Sequence, residues 1–176
     1  MDTKDLVYSL LLLAAALVVY FVMEHVTNMN ITDQVHDIVS VDLPPDVKLC
    51  ANLVSNVLPM LIVVYCILND RRIVYINRLS LMVALKSLIQ FVTVVPGPEY
   101  SGSCASKNSF DTVTSGICAD MMFSGHTAVV FLLTSCMWRL GLVPLEAALL
   151  VLGKQHYISD TIVAAIVSSW IEYVVV

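Results

Sequence analysis

Charged side chains are scarce in this chain of 176 residues. Only 13% of its residues are Asp, Glu, Lys or Arg, whereas 59% are hydrophobic. In soluble globular domains about a quarter of all residues are charged, so this composition argues against a soluble domain. Intrinsic disorder is also excluded, because disordered chains are poor in hydrophobic residues. The mean hydropathy of +0.86 favours a membrane protein.

Glycine and proline are few as well, with six residues of each. This excludes collagen and low-complexity linkers. Basic residues number nine against 14 acidic ones, which gives a net charge of −5 and argues against nucleic acid as a partner. Five cysteines are too few for a small disulfide scaffold in a chain of this length.

Six apolar segments remain, and a membrane-spanning helix needs about 20 mostly apolar residues. The sequence therefore predicts an all-α fold: a single domain (1–176) that is a polytopic membrane bundle of six transmembrane helices. The predicted spans are residues 6–23, 50–68, 79–96, 121–138, 140–153 and 157–176. The fifth reaches only about 21 Å as a helix, so a five-span interpretation stays open. Within the second span, Asn52, Ser55 and Asn56 lie beside Pro59, a pattern typical of a kinked helix with internal hydrogen bonds.

The basic residues between the spans predict the orientation. Segment 70–78 holds three arginines, and Arg139 lies between the fourth and fifth spans. Cytosolic loops are enriched in Lys and Arg, so these loops are expected in the cytosol. Both termini then face the cytosol too.

The remaining loops agree with a lumenal or extracellular location. Asn30 begins an Asn-Ile-Thr glycosylation sequon, which is used only on the lumenal side. Cys104 and Cys118 lie in the loop before the fourth span, where a disulfide would need an oxidising compartment.

Three titratable residues lie in or at the mouths of the last spans: His126, His156 and Asp160. The fourth and sixth spans run in the same direction, so both histidines are expected near the lumenal surface. On a helix, Asp160 would share a face with His156. Its carboxylate could then fix the tautomer of one imidazole and raise the basicity of the free nitrogen. The pattern predicts nucleophilic catalysis with a separate proton carrier.

Two other interpretations of these side chains stay open. In the first, they form hydrogen bonds between helices and have no chemical role. In the second, they bind zinc, although the sequence offers no further convincing zinc ligand. Ser124 and Gly125 precede His126 at a predicted helix N-terminus, where backbone N–H groups favour an anion such as phosphate. Gly125 would permit a close approach of the backbone.

Residues 118–127 (CADMMFSGHT) resemble the C-G-D-x-x-x-S-G-H-T motif of sphingomyelin synthases, and residues 156–160 (HYISD) resemble their H-Y-T-x-D motif. Residues 43–46 (LPPD) are similar to a proline-aspartate motif of the same family, and residues 71–73 (RRI) to a twin-arginine motif. These segments occur in the expected order over most of the chain. Gln155 stands where the family usually has an aspartate.

The resemblance implies a member of the lipid phosphate phosphatase and phosphotransferase superfamily. It implies a six-span transferase of sphingolipid metabolism, in the Golgi or the plasma membrane. Such an enzyme moves phosphocholine from phosphatidylcholine to ceramide and gives sphingomyelin and diacylglycerol. His156 would form a phosphohistidine, Asp160 would orient it, and His126 would carry the proton. No cofactor and no metal are expected.

The resemblance also suggests contacts with the lipid substrates. Lys86 is expected to bind the lipid phosphate or, alternatively, to pair with Glu146. Asp120 would cap the fourth helix or contact the choline cation. Tyr157 would offer its ring to the quaternary ammonium or lie in an interfacial belt.

Several functions and partners stay open at this point. The expected partners are the membrane, a phospholipid donor and a ceramide acceptor, and the chain could form a homo-oligomer. The alternative functions are a ceramide phosphoethanolamine synthase, an inositol phosphorylceramide synthase, a lipid phosphate phosphatase and a non-catalytic lipid-binding protein.

Overall fold

The computed structural model describes residues 3–28, 43–68, 72–92, 123–153 and 155–175. All regular structure in these ranges is helical, which confirms the all-α class. The helices are α1 (Thr3–Asn28), α2 (Pro45–Ile67), α3 (Arg72–Val92), α4 (Gly125–Leu133), α5 (Cys136–Leu152) and α6 (Ile158–Val174).

Two helices in the described ranges are long and apolar enough to cross a membrane. They contain the segments Asp5–Val22 and Pro45–Ile67, with mean hydropathies of 2.3 and 2.0. α3 is long enough but carries Arg72, Arg78 and Lys86, and α4, α5 and α6 have 9, 17 and 17 residues. Membrane association is therefore indicated, and a six-span architecture stays a prediction.

The helix bounds differ most from the predicted spans in two places. α3 begins at Arg72 rather than at residue 79, because its first two turns include arginines that a search for apolar runs leaves out. The predicted span 121–138 is broken: α4 ends at Leu133, and α5 begins at Cys136. Thr134 and Ser135 adopt extended backbone angles between them, a conformation that an apolar run does not reveal.

α4 and α6 run side by side in the same direction, as the sequence predicted. At their starts, the Ser124 N–H donates to the Asp160 carbonyl at 3.2 Å. At their ends, the Arg78 guanidinium donates to the carbonyls of Leu132 at 3.3 Å and Val175 at 3.1 Å. We call these two levels of the bundle the histidine end and the arginine end.

The chain passes back and forth between these two ends. α2 runs from the histidine end, where Asn56 contacts His126, to the arginine end, where the Cys66 thiol donates to the Leu133 carbonyl at 3.4 Å. α3 and α5 run the opposite way, since each leads from the arginine end to residues beside the histidines. α1 packs against α3, and its Tyr20 lies against Lys86 of α3.

The core is centred on α4, which packs against α2, α3, α5 and α6. Ala128, Val130 and Leu132 of α4 are fully buried, and Phe123 just before it is 1% exposed. Close packing of such side chains gains van der Waals contacts, which are a main attraction between helices in a membrane. The start of α4, and with it His126, is therefore held by packing on several sides.

Candidate functional site

The two histidines singled out in the sequence come together at the histidine end. The ring centroids of His126 and His156 are 6.3 Å apart, and the ring planes meet at 65°. His126 lies in the first turn of α4, whereas His156 lies just before α6. They are 30 positions apart in sequence, and all of α5 lies between them.

Asp160 holds the ring of His156. Its Oδ2 lies 3.3 Å from His156 Nδ1 and accepts the Tyr157 backbone N–H at 2.9 Å, while Oδ1 accepts the Ser159 hydroxyl at 3.2 Å. Asp160 is 1% exposed and His156 is 7% exposed. The expected contact is present, but its expected cause is wrong, because His156 precedes the helix. The carboxylate instead folds back over the first turn of α6, as in a capping box.

The segment before α6 is fixed to two other helices. The backbone N–H of Gln155 donates to the Leu150 carbonyl of α5 at 2.9 Å. The Gln155 side-chain oxygen accepts a hydrogen bond of 3.2 Å from the Ser55 hydroxyl of α2. Gln155 is thus a structural contact of the segment that carries His156.

Ser124 begins the helix that carries His126. Its Oγ accepts the Thr127 backbone N–H at 3.3 Å and the Thr127 hydroxyl at 3.1 Å, so it is the N-cap of α4. Capping of this helix was also predicted for Asp120, five residues before its first residue. Asp120 itself lies outside the described residues.

Lys86 lies beside the start of α4. Its Nζ is 3.1 Å from the position that a Cβ on Gly125 would occupy, and 5.2 Å from the centre of the Tyr20 ring. A larger side chain at residue 125 would displace the ammonium group. The absence of a side chain at Gly125 therefore lets a cation approach the N-terminus of α4.

The alternative partner of Lys86 is not in contact with it. Glu146 is fully buried in α5, and neither of its carboxylate oxygens has a hydrogen-bond partner among the described residues. α5 packs mainly against α2 and α4, not against α3. The ion pair between Lys86 and Glu146, one of the two predictions for this lysine, is therefore wrong.

A cavity of about 670 Å³ opens beside His126, between α1, α2, α3 and α4. Its wall is mostly aliphatic. The polar residues of its lining are Tyr20, Asn52, Asn56, Lys86 and His126. A mostly apolar cavity with a few polar groups from each of its helices suits an amphiphile.

Asn56 and Ser55 were missed as site residues. Asn56 Oδ1 lies 3.1 Å from His126 Nε2, and Ser55 contacts the segment of His156 through Gln155. The sequence contains a signal for them, since Asn52, Ser55 and Asn56 share one face of an apolar helix. Their hydrogen bonds were expected to stay within the helix, and part of them do.

The remaining predicted site residues do not contribute to the cavity, or they lie outside the described residues. Tyr157 is 5% exposed and does not line the cavity. Cys104, Cys118 and Asn30 lie outside the described residues. In the part of the chain that the structure describes, no group of three or more His, Cys, Asp or Glu side chains is arranged to hold a metal ion.

Comparisons of the chain with protein-family models, with curated proteins and with solved structures give no match.

Proposed function

We propose that the protein is a membrane phosphotransferase of the sphingomyelin synthase type. It moves phosphocholine from phosphatidylcholine to the primary hydroxyl of ceramide and releases diacylglycerol. The observation that carries this proposal is the pair of imidazoles 6.3 Å apart, one of which is held by a buried carboxylate. In the proposed mechanism the phosphorus lies between the two rings, within about 3 Å of a nitrogen of each.

In the first half-reaction, His156 is the nucleophile. Asp160 contacts its Nδ1, so Nε2 carries the lone pair that attacks phosphorus. A P–N bond forms, and the bond from phosphorus to the diacylglycerol oxygen breaks. That oxygen takes a proton from the His126 imidazolium. The Asp160 carboxylate stabilises the positive charge on the phosphorylated ring.

In the second half-reaction, His126 is the base. The ceramide hydroxyl gives its proton to the neutral imidazole, and its oxygen attacks the phosphorus. The P–N bond breaks, and its electron pair returns to His156 Nε2. Each histidine then has its initial protonation state, so the cycle is balanced.

The surroundings of His126 support a lipid substrate with a phosphate group. Lys86 and the N-terminus of α4 lie together next to this histidine, and both favour an anion. The aliphatic wall of the cavity would take an acyl chain. In the proposed setting, the helical bundle is embedded in a Golgi or plasma membrane, and the histidine end faces the lumen or the cell exterior.

The test is transfer of a labelled head group by the purified protein in lipid nanodiscs. With labelled phosphatidylcholine and no ceramide, label should attach to His156. Addition of ceramide should move the label to a lipid product. His156→Asn should abolish labelling, and His126→Asn should slow it by about 100-fold or more.

Other results would select other functions. A product with an ethanolamine or inositol phosphate head group would change the donor but keep the mechanism. Release of a free phosphate compound would indicate a phosphatase. If a full panel of donors leaves both histidines unlabelled and yields no product, the proposed transferase is excluded in favour of a lipid-binding protein.

A further inference from the structure

Asn56 of α2 contacts a catalytic histidine of the proposed mechanism but has no role in that mechanism so far. It lies on the wall of the cavity, and its Oδ1 is 3.1 Å from Nε2 of His126. We infer that Asn56 is the positioning residue of His126: it fixes which ring nitrogen carries the proton and thereby which nitrogen exchanges protons with the lipid oxygens. The functional part of this inference rests on the proposed transferase.

The orientation of the Asn56 amide is fixed within its own helix. Its Nδ2 donates to the Asn52 carbonyl at 2.6 Å. The nitrogen of the amide is therefore occupied by an acceptor, and the oxygen is the atom that faces His126. A reversed amide would bring its N–H groups to the ring and place two oxygens against each other at Asn52.

The amide orientation determines the tautomer of the ring. An amide oxygen only accepts hydrogen bonds, so His126 Nε2 must donate. The neutral imidazole then has its proton on Nε2 and its lone pair on Nδ1. Nδ1 is accordingly the atom that gives the proton to diacylglycerol and later takes it from the ceramide hydroxyl.

The two histidines are thus held in complementary ways. Asp160, an anion, contacts Nδ1 of His156, whereas Asn56, a neutral amide, contacts Nε2 of His126. A carboxylate stabilises a ring that must carry positive charge in the intermediate. A neutral acceptor orients a ring without holding it in the charged form, which suits a group that must alternate between acid and base.

α2 reaches both histidine segments through consecutive residues. Ser55 contacts Gln155 next to His156, and Asn56 contacts His126. Asn52, one turn away, contributes its backbone carbonyl, and its side-chain oxygen has no partner among the described residues. The side chain of Asn56 therefore differs from that of Asn52 in its contact with the His126 ring.

The first test needs no substrate. Nitrogen chemical shifts of the histidine rings, measured on labelled protein in nanodiscs at a pH where His126 is neutral, should show the Nε2–H tautomer for His126. Asn56→Leu has a similar volume and no acceptor, and it should remove that preference. A wild-type His126 protonated on Nδ1, or an unchanged tautomer in the variant, would overturn the inference.

The second test uses Asn56→Asp, which keeps the shape and adds a negative charge. A carboxylate beside Nε2 stabilises the imidazolium, so the acidic limb of the pH profile for transfer to ceramide should move to higher pH by about one unit or more. The phosphohistidine on His156 should accumulate, because the second half-reaction needs neutral His126. An unmoved profile without accumulation would contradict the positioning role.

A matched control separates this role from a loss of structure. Ser87→Ala removes a buried hydroxyl that donates to the Val83 carbonyl of its own helix at 2.8 Å and does not line the cavity. It should leave the tautomer and the pH profile unchanged. If the wild-type protein transfers no head group but shows the Nε2–H tautomer, the proposed function fails and the assignment of Asn56 stands.

Discussion

The backbone N–H of Ser124 donates a hydrogen bond to the backbone carbonyl of Asp160 at 3.2 Å. This bond joins the first residues of α4 to the first turn of α6, and so it joins the segments that carry His126 and His156. Because it links peptide groups, most side-chain substitutions leave it intact. Variants at the histidines and at Asp160 can therefore test chemistry without separating the two segments.

Asp160→Asn is expected to impair transfer while the fold is retained. The amide oxygen can still accept the Tyr157 N–H and contact His156, but the negative charge beside the phosphorylated ring is lost. Formation of the phosphohistidine should slow by about 100-fold or more, measured by rapid quench with labelled donor lipid. Ser159→Ala, which removes a neutral donor to the same carboxylate, should have a much smaller effect. Equal rates for Asp160→Asn and the wild type would contradict the role of the charge.

Ser124→Ala is expected to weaken the start of α4. The variant loses the acceptor for the Thr127 N–H, at a cost of about 1 kcal/mol, whereas Ser124→Gly should cost only a few tenths. Chemical unfolding in a mild detergent measures the loss of each variant relative to the wild type. If Ser124→Ala is as stable as the wild type, the hydroxyl is not the cap that the structure indicates.

Lys86 and Glu146 are expected to act independently. Lys86→Met should raise the KM for the phospholipid donor by about 10-fold or more, because a charged hydrogen bond to phosphate is lost, and Lys86→Arg should restore much of the affinity. The exchanged double variant should show a coupling free energy below about 0.5 kcal/mol in a double-mutant cycle. A substantially favourable coupling free energy would show that Lys86 and Glu146 do form an ion pair and would contradict this prediction.

Arg139→Lys is expected to destabilise the arginine end. Arg139 makes two hydrogen bonds to the Glu172 carboxylate, at 2.6 and 3.0 Å, and a third to the Thr134 carbonyl at 2.9 Å. Lysine cannot reproduce this fork, so the free energy of unfolding should fall by about 1–3 kcal/mol. Thermal unfolding at low and high salt checks this. An unchanged midpoint would show that the contacts at this end contribute little.

Much of the fold could be predicted from the sequence, because apolar runs are local features. The positions of α1 and α2 followed from them within a few residues. The break at Thr134 and Ser135 did not, since both residues lie within an apolar stretch. There the Thr134 hydroxyl donates to the Val130 carbonyl at 2.6 Å, and Ser135 occupies the N-cap position of α5.

The candidate site was predictable in part for the same reason. His126, His156 and Asp160 attract attention because titratable groups are costly inside a membrane. The sequence could not reveal that Asn56 contacts His126, since an amide in an apolar helix is equally able to bond to its own backbone. Nor could it reject Glu146 as the partner of Lys86, because similar depth in two helices does not make those helices neighbours.

α4 has only nine residues, about 13 Å of helix. Arg78 donates to the carbonyl of Leu132 near its C-terminal end, and Arg139 donates to the carbonyl of Thr134 just beyond it. His126 lies at the opposite end. A rod of two and a half turns has little length over which to bend, so movement at one tip is transmitted to the other. The contacts of the two guanidinium groups are therefore expected to influence the position of the His126 ring from outside the cavity that His126 lines.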